Sequence, residues 1–123
     1  MPGGWAELPT DLPGAELFAL APGSPAPAWV YVFRYPGAPI ASLRAARRNI
    51  PRKGGSIVAE RTDRLGGRAA TRLDFTFTDD RNAAARATEW FVADGRGGTF
   101  VLAVALRSAD PALRDDFARR WRF

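Results

Sequence analysis

The chain has 123 residues, a length typical of one domain, and carries a net charge of +5. Its content of 46% hydrophobic, 11% aromatic and 25% charged residues is typical of a globular protein and argues against intrinsic disorder. Cysteine and histidine are both absent. Their absence excludes disulfides, thiol nucleophiles, zinc sites built on Cys or His, and triads with an imidazole base. We therefore predict one domain over 1–123, with no enzymatic activity and no cofactor.

The hydrophobic segments are too short to cross a membrane as a helix. The longest nearly unbroken apolar stretch, Thr99–Leu106, has eight residues, against the roughly 20 that a spanning helix needs. The first residues, Met1–Trp5, lack a charged region followed by an apolar one, so they do not form a signal peptide. We predict no transmembrane segment and a cytoplasmic location, or an exported mature domain if a signal sequence was removed.

The first half of the chain contains two strand patterns and one helix pattern. Residues 1–27 hold six of the ten prolines, so structure there is expected to be short, with one edge strand at Glu16–Ala21. Ala28–Tyr35 alternates aromatic and aliphatic residues and is apolar on both faces, which predicts a strand inside a sheet. Pro39 suits the first turn of a helix that runs to about Asn49. Its expected inward stripe consists of Ile40, Leu43, Ala46 and Ile50.

The second half predicts a meander of four strands followed by a helix. The strands are Ser56–Leu65, Arg68–Thr78, Ala84–Ala93 and Thr99–Leu106, separated by turn-forming residues. The closing helix starts with Asp110 as N-cap and Pro111 in its first turn, and its inward stripe is Leu113, Phe117 and Trp121. The order β-β-α-β-β-β-β-α predicts an α+β fold with a mainly antiparallel sheet and helices packed on it.

Three segments carry a resemblance to a known family. They are a Trp-Xaa-Xaa-Leu-Pro start at Trp5, the turn 66–70 leading into Leu73-Asp74-Phe75, and the strand that opens Gly98-Thr99-Phe100. Together they resemble the PsbP-like sandwich superfamily, which includes DcrB-like proteins and the LpqN-type lipoproteins of actinobacteria. The resemblance implies a PsbP-like sandwich and a non-catalytic binding or assembly role. The arginine-rich composition indicates a GC-rich genome, and together with the resemblance it predicts an actinobacterial source.

Aromatic residues suggest a binding face on the sheet. Trp90 stands next to Phe91, so the two side chains point to opposite faces of their strand. A groove lined by Trp90, Trp29 and Tyr31 would receive an apolar helix or peptide, because interfaces favour Trp, Tyr and Arg. The main hypothesis is therefore an adaptor or chaperone that binds a protein or peptide. The simpler interpretation is a sheet covered by a helix and the proline-rich N-terminal segment.

Basic residues concentrate in the middle of the sequence. Residues 34–72 contain ten basic and two acidic side chains. Five of the basic residues lie along the exposed side and end of the first predicted helix: Arg44, Arg47, Arg48, Arg52 and Lys53. Such a patch could contact an acidic protein, anionic lipid head groups or nucleic acid. No helix-turn-helix, RNP-like motif or zinc finger accompanies it, which argues against nucleic acid.

A second hypothesis is a protein that binds a small apolar ligand, or an enzyme that acts through pocket shape. It requires an enclosed cavity between sheet and helix. An open groove with exposed Trp90 favours the adaptor, whereas a buried cavity of several hundred cubic ångströms favours the ligand site. The carboxylates Asp74, Asp79, Asp80 and Glu89 form the one cluster that could hold a metal or an acid/base pair. We interpret them as solvated turn residues.

Overall fold

Seven strands and two helices make up the part of the chain that the computed structural model describes, residues 4–10, 12–23, 25–79, 81–107 and 111–123. In chain order the elements are β1 (Ala6–Leu8), β2 (Ala15–Leu20), β3 (Ala28–Pro36), α1 (Pro39–Arg52), β4 (Ser56–Leu65), β5 (Arg68–Thr78), β6 (Ala84–Ala93), β7 (Gly98–Leu106) and α2 (Ala112–Arg120). All seven strands form one sheet in the order β1-β2-β3-β7-β6-β5-β4, and every neighbouring pair is antiparallel. The predicted α+β fold with a mainly antiparallel sheet is confirmed.

The last strand, β7, lies at the centre of the sheet between β3 and β6. Phe100, Leu102 and Val104 pack on one face, and Val101 packs on the other. A strand that is apolar on both faces is expected where both faces are covered, and the structure shows that arrangement here. The sheet therefore has two apolar layers, one on each side.

The first layer lies under α2, and we call this side of the sheet the α2 face. Phe117 of α2 is fully buried among residues of β3, β6 and β7. The Trp5 ring meets the Phe117 ring edge-on, with 4.7 Å between centroids. Leu113 and Trp121 pack against the same cluster, so the predicted inward stripe of the closing helix is confirmed. Asp110, its predicted N-cap, lies outside the described residues.

The second layer lies under α1, on what we call the α1 face. Leu43 of α1 is buried with Phe33, Leu73, Phe91 and Val101 of the sheet. The helix starts at Pro39 as predicted, because proline fits the first helical turn.

Three local details differ from the sequence prediction. The helix α1 continues past Asn49 to Arg52, although Pro51 has no N–H to donate. The carbonyl of Pro51 accepts a hydrogen bond from the backbone N–H of Gly54 at 3.1 Å. Ile40 is 50% exposed, so it is outside the inward stripe. The short strand β1 pairs with β2, which moves β2 away from the sheet edge.

Neither helix in the described ranges is long and apolar enough to cross a membrane.

We predict that Phe117→Ala destabilises the protein far more than Ile40→Ala. Truncating the fully buried ring leaves a cavity and is expected to cost about 3–5 kcal/mol. Truncating Ile40, which is half exposed, is expected to cost about 1 kcal/mol or less. Urea denaturation followed by circular dichroism measures both values. Equal costs would contradict the placement of the core under α2.

Candidate functional site

A cavity of about 720 Å³ lies between α1 and the sheet. Its floor is the side of the sheet that lies under α1, the α1 face. Three aromatic residues and one aliphatic residue line this floor: Phe33, Phe75, Phe91 and Val101. Phe77 and Thr78 lie at the β5 end, and the segment at Leu12 and Pro13 also contributes to the wall. The volume lies within the range of about 300–1,000 Å³ that is usual for small-molecule sites.

The space exists because the flank of α1 that faces it carries small side chains. Ala41, Ser42, Ala45 and Ala46 line the cavity from this flank. Leu43 is the one buried residue of the helix, and the partly buried Ile50 near its C-terminal end packs against the same cluster. Side chains as short as these do not span the distance between helix and sheet, and the gap stays unfilled.

The C-terminal end of α1 is held close to the sheet by Gly55. A Cβ atom at this position would lie 2.6 Å from the carbonyl oxygen of Thr76 and 2.9 Å from Cγ2 of Ile50. Both distances are shorter than real Cβ atoms show, so only glycine fits without a shift of the backbone. The helix therefore approaches β5 at one end, which closes that end of the cavity.

One carboxyl group lies in the floor of this apolar cavity. Glu89 of β6 pairs in register with Leu73 of β5 and with Ala103 of β7, and Phe91 follows it on the same face. Among the residues that the structure describes, none donates a hydrogen bond to Glu89. Burial raises the pKa of Glu89 to about 7, against an ordinary value of 4.5.

Two titratable groups share the cavity with Glu89. The positive charge of Lys53, at the end of α1, acts to lower the pKa of Glu89, and this effect is smaller than that of burial. Burial, and next the negative charge of Glu89, raise the pKa of Tyr35 on β3. The site thus combines apolar walls with one acid that changes its charge near neutral pH and one solvent-exposed lysine at the rim.

The position of Trp90 contradicts the predicted binding face. It points away from Phe91, as expected, but it lies in the core of the α2 face and is only 1% exposed. Its Nε1 donates a hydrogen bond to Oδ2 of Asp63 at 3.0 Å. Alternation along β6 places the two rings on opposite faces, and both are buried, Trp90 on the α2 face and Phe91 on the α1 face. An open groove lined by Trp90 is therefore not part of this structure.

Trp29 and Tyr31 lie on the α1 face, beside the cavity. The Trp29 ring meets the Phe77 ring edge-on, with 6.2 Å between centroids. Tyr31 stacks on Phe18 of β2 at 4.8 Å. Both side chains are partly exposed. The structure thus brings these two predicted residues together with the cavity on one face, and it places Trp90 on the other.

The basic residues of α1 occupy different positions around the helix. Arg44, Arg48 and Arg52 are exposed and follow one another at intervals of four residues, which places them on one side of the helix. They form no ion pair with any residue in the described ranges. Arg47 differs, since its Nε donates to Oε1 of Glu60 at 2.7 Å. This ion pair ties α1 to the edge strand β4.

The carboxylates that could have formed a cluster are separated. Asp74 accepts hydrogen bonds from Thr88 and Arg72 on the α2 face, whereas Glu89 lies on the α1 face. Asp79 accepts from the backbone N–H groups of Arg81 and Ala83, as turn residues do. Asp80 lies outside the described residues. Among the residues described, no three acidic side chains are grouped so that they could hold a metal ion.

The sequence interpretation of Glu89 as a solvated turn residue is wrong, because Glu89 lies inside β6 and lines the cavity. Its sequence signal is a lone charge at the start of the otherwise apolar run Glu89-Trp90-Phe91-Val92. A charge in such a run indicates a functional position when the strand is internal. The floor residues Phe33, Phe75 and Phe91 have no separate signal, because their alternation is that of any core strand.

Comparison with known proteins identifies the fold. No protein-family model matches the sequence, and no curated protein matches it. Among solved structures, LpqN, which is involved in cell envelope biogenesis of Mycobacterium tuberculosis, is similar with a TM-score of 0.63 and 17% identity. The match covers 96% of this chain and 74% of LpqN.

Two further structures agree with this likeness. Cyanobacterial PsbP from Synechocystis sp. PCC 6803 matches with a TM-score of 0.60 and 12% identity, over 97% of this chain and 79% of that one. PA94 from Pseudomonas aeruginosa, a protein of unknown function, matches with a TM-score of 0.57 and 16% identity, over 94% and 76%. The chain has the fold of PsbP-like and LpqN proteins. At these identities the likeness concerns the fold alone, and the actinobacterial source stays a prediction.

We predict that the stability of Glu89→Gln relative to wild type increases with pH. The folded-state pKa of Glu89 is raised, so the folded protein keeps its proton over a range in which the unfolded chain loses it. As the pH rises from about 4.5 to 7, this group therefore lowers the free energy of unfolding of wild type by about 3 kcal/mol. Glu89→Gln has no carboxyl at this position and does not show that decrease. Urea denaturation of both proteins at pH 4.5 and pH 8 measures this change. A difference that is constant with pH would contradict the buried carboxyl.

Proposed function

We propose that this protein is a non-enzymatic binding protein that holds an apolar small molecule in the cavity between α1 and the sheet. The observation that carries the proposal is the cavity itself, with a volume of about 720 Å³ and a floor of aromatic and aliphatic side chains. The volume meets the several hundred cubic ångströms that the sequence hypothesis of a ligand site requires, whereas the cavity is partly open to solvent and not enclosed as expected. The second observation in its favour is the burial of Trp90, which removes the open groove expected of the adaptor.

The energetics favour an apolar ligand. Each methylene group that leaves water for the cavity contributes about 0.8 kcal/mol. The ligand also gains dispersion contacts with Phe33, Phe75 and Phe91, which line the cavity. A role without catalysis is compatible with the similar structures, since LpqN is described as involved in cell envelope biogenesis and PA94 as a protein of unknown function, and neither description names a reaction.

We predict that Ala45→Phe abolishes binding of an apolar probe. Ala45 lines the cavity from α1, and a phenyl ring there would occupy the space. The probe is N-phenyl-1-naphthylamine, an uncharged dye whose fluorescence rises when it leaves water. We expect Ala45→Phe to weaken binding at least about tenfold, which corresponds to about 1.4 kcal/mol.

The matched control for this experiment is Ala69→Phe. Ala69 is an exposed residue of β5 outside the described cavity lining, so the same substitution there is expected to leave the affinity unchanged. Circular dichroism confirms that both variants fold. Equal binding by wild type and both variants would show that the probe does not enter the cavity, and failure of wild type to bind any apolar probe would overturn the proposed function.

A second candidate function is an adaptor that binds an acidic protein or peptide. It is favoured by the exposed row Arg44, Arg48 and Arg52, which has no ion-pair partner among the described residues. The partly exposed Trp29 and Tyr31 on the α1 face supply the aromatic component. Charge complementarity selects an acidic segment as the partner. A nucleic acid or an anionic surface is the remaining alternative for the same row.

For this candidate we predict that replacing Arg44, Arg48 and Arg52 together by glutamine weakens binding of an acidic, tryptophan-containing peptide at least about fivefold. Fluorescence anisotropy at low salt measures the affinity. The control replaces Arg81, Arg86 and Arg96, three exposed arginines on other elements, and changes the net charge equally. Equal losses in the two variants would mean that net charge alone attracts the peptide, which would contradict the adaptor.

Three other expectations remain proposals. We propose that residues 1–123 act as one domain. We also propose a cytoplasmic location, or an exported mature domain if a signal sequence was removed. For the basic helix, contact with nucleic acid is the least favoured of the partners, since no nucleic-acid-binding motif accompanies it.

A further inference from the structure

Glu89 is the feature of the cavity that an apolar ligand alone leaves unexplained. A carboxyl group in the middle of an apolar floor costs free energy unless a hydrogen bond or an opposite charge compensates it. Its neighbours in register, Leu73 and Ala103, offer neither. Among the described residues no hydrogen bond reaches it. The carboxyl oxygens therefore face a cavity large enough to hold a ligand, and no described side chain or backbone group is hydrogen-bonded to them.

The charged and titratable groups around Glu89 leave its charge uncompensated. Lys53 at the end of α1 is an exposed side chain at the rim, and its charge offsets only part of the effect of burial. Tyr35 on β3 is a neutral phenol near neutral pH, and its pKa is raised further. From β5 and β7 the facing residues are Leu73 and Ala103, which carry no charge. A cation that belongs to the ligand is the component that this floor lacks.

We infer that the cavity binds an apolar amine, with its ammonium group paired to the carboxylate of Glu89 and its hydrocarbon body against the aromatic floor. This inference rests on the proposed function, since it names the ligand class of the same cavity. The ammonium supplies both the opposite charge and the hydrogen-bond donors. Phe75 lines the same cavity and is partly exposed, and an aromatic ring attracts a cation to its face.

The other simple amphiphiles match the floor less well. A carboxylate ligand would place a second negative charge beside Glu89, and like charges at that distance repel each other. An alcohol donates one hydrogen bond and leaves the charge of an ionised Glu89 uncompensated. The inferred order of affinity for ligands with one chain length is therefore amine, then alcohol, then carboxylate.

Binding of an amine is coupled to proton release from Glu89. In the empty protein the carboxyl is largely protonated at pH 6 and largely ionised at pH 8.5, because its pKa is about 7. The bound ammonium favours the ionised form, so binding at pH 6 expels the proton to solvent, up to about 0.9 proton per ligand. The affinity for the amine consequently increases about tenfold from pH 6 to pH 8.5. An alkylammonium group itself stays protonated over this range, as a lysine side chain does.

The experiment compares n-octylamine, n-octanol and n-octanoate by isothermal titration calorimetry at pH 6 and pH 8.5, in two buffers with different ionisation enthalpies. Wild type is measured beside Glu89→Gln and Ala45→Phe. Glu7→Gln serves as the matched control, because it removes an exposed carboxylate on β1. The two buffers give the number of protons released for each amine bound.

We expect wild type and Glu7→Gln to bind the amine at least about tenfold more tightly than the alcohol at pH 8.5. Proton release at pH 6 accompanies the amine and not the alcohol. Glu89→Gln is expected to retain the alcohol, to lose the preference for the amine and to release no proton. Ala45→Phe is expected to bind none of the three.

Two outcomes overturn the inference in distinguishable ways. Equal affinity for amine and alcohol in wild type, or an amine preference that persists in Glu89→Gln, would disprove the ammonium site and leave the apolar ligand site intact. If Ala45→Phe binds all three compounds, or if none of the proteins binds any of them, the cavity is not a binding site and both proposals are wrong.

Discussion

The pairing register of β6 is the constraint on which the cavity depends. In this register Glu89 turns to the α1 face and Trp90 to the α2 face. Two hydrogen bonds on the α2 face support it: Thr88 Oγ1 donates to Asp74 Oδ1 at 2.6 Å, and Trp90 Nε1 donates to Asp63 Oδ2 at 3.0 Å. A slip by one residue would exchange the faces of every side chain on the strand. Polar contacts on one side of the sheet thus determine which chemistry the other side presents.

The shape of the cavity depends on how α1 rests on the sheet. Leu43 anchors the helix, and the small flank that includes Ala45 and Ala46 keeps the neighbouring space open. An open cavity forgoes the dispersion contacts that larger side chains would make. A ligand that fills the space restores such contacts, and it stabilises the folded state because the unfolded chain has no comparable site. Occupancy and stability are therefore coupled in this protein.

The sequence predicts the elements well because their patterns are local. Alternation along β5 and the proline at the start of α1 suffice to place a strand and a helix. The candidate site depends instead on the separation of α1 from β6, which are distant in sequence, and no local pattern encodes that separation. The alternation of Glu89, Trp90 and Phe91 shows which residues share a face, but it does not show which helix covers that face. The error at Trp90 and the interpretation of Glu89 as a solvated turn residue have this one cause.

The distribution of tryptophans between the two faces gives the cavity a built-in spectroscopic reporter. Trp5, Trp90 and Trp121 all belong to the layer under α2. Trp29 lies on the opposite face, with its ring against Phe77 in the cavity wall. A molecule that displaces Phe77 changes the surroundings of one indole and leaves the other three as an internal reference. The fluorescence of the unlabelled protein therefore separates events in the cavity from loosening of the core behind it.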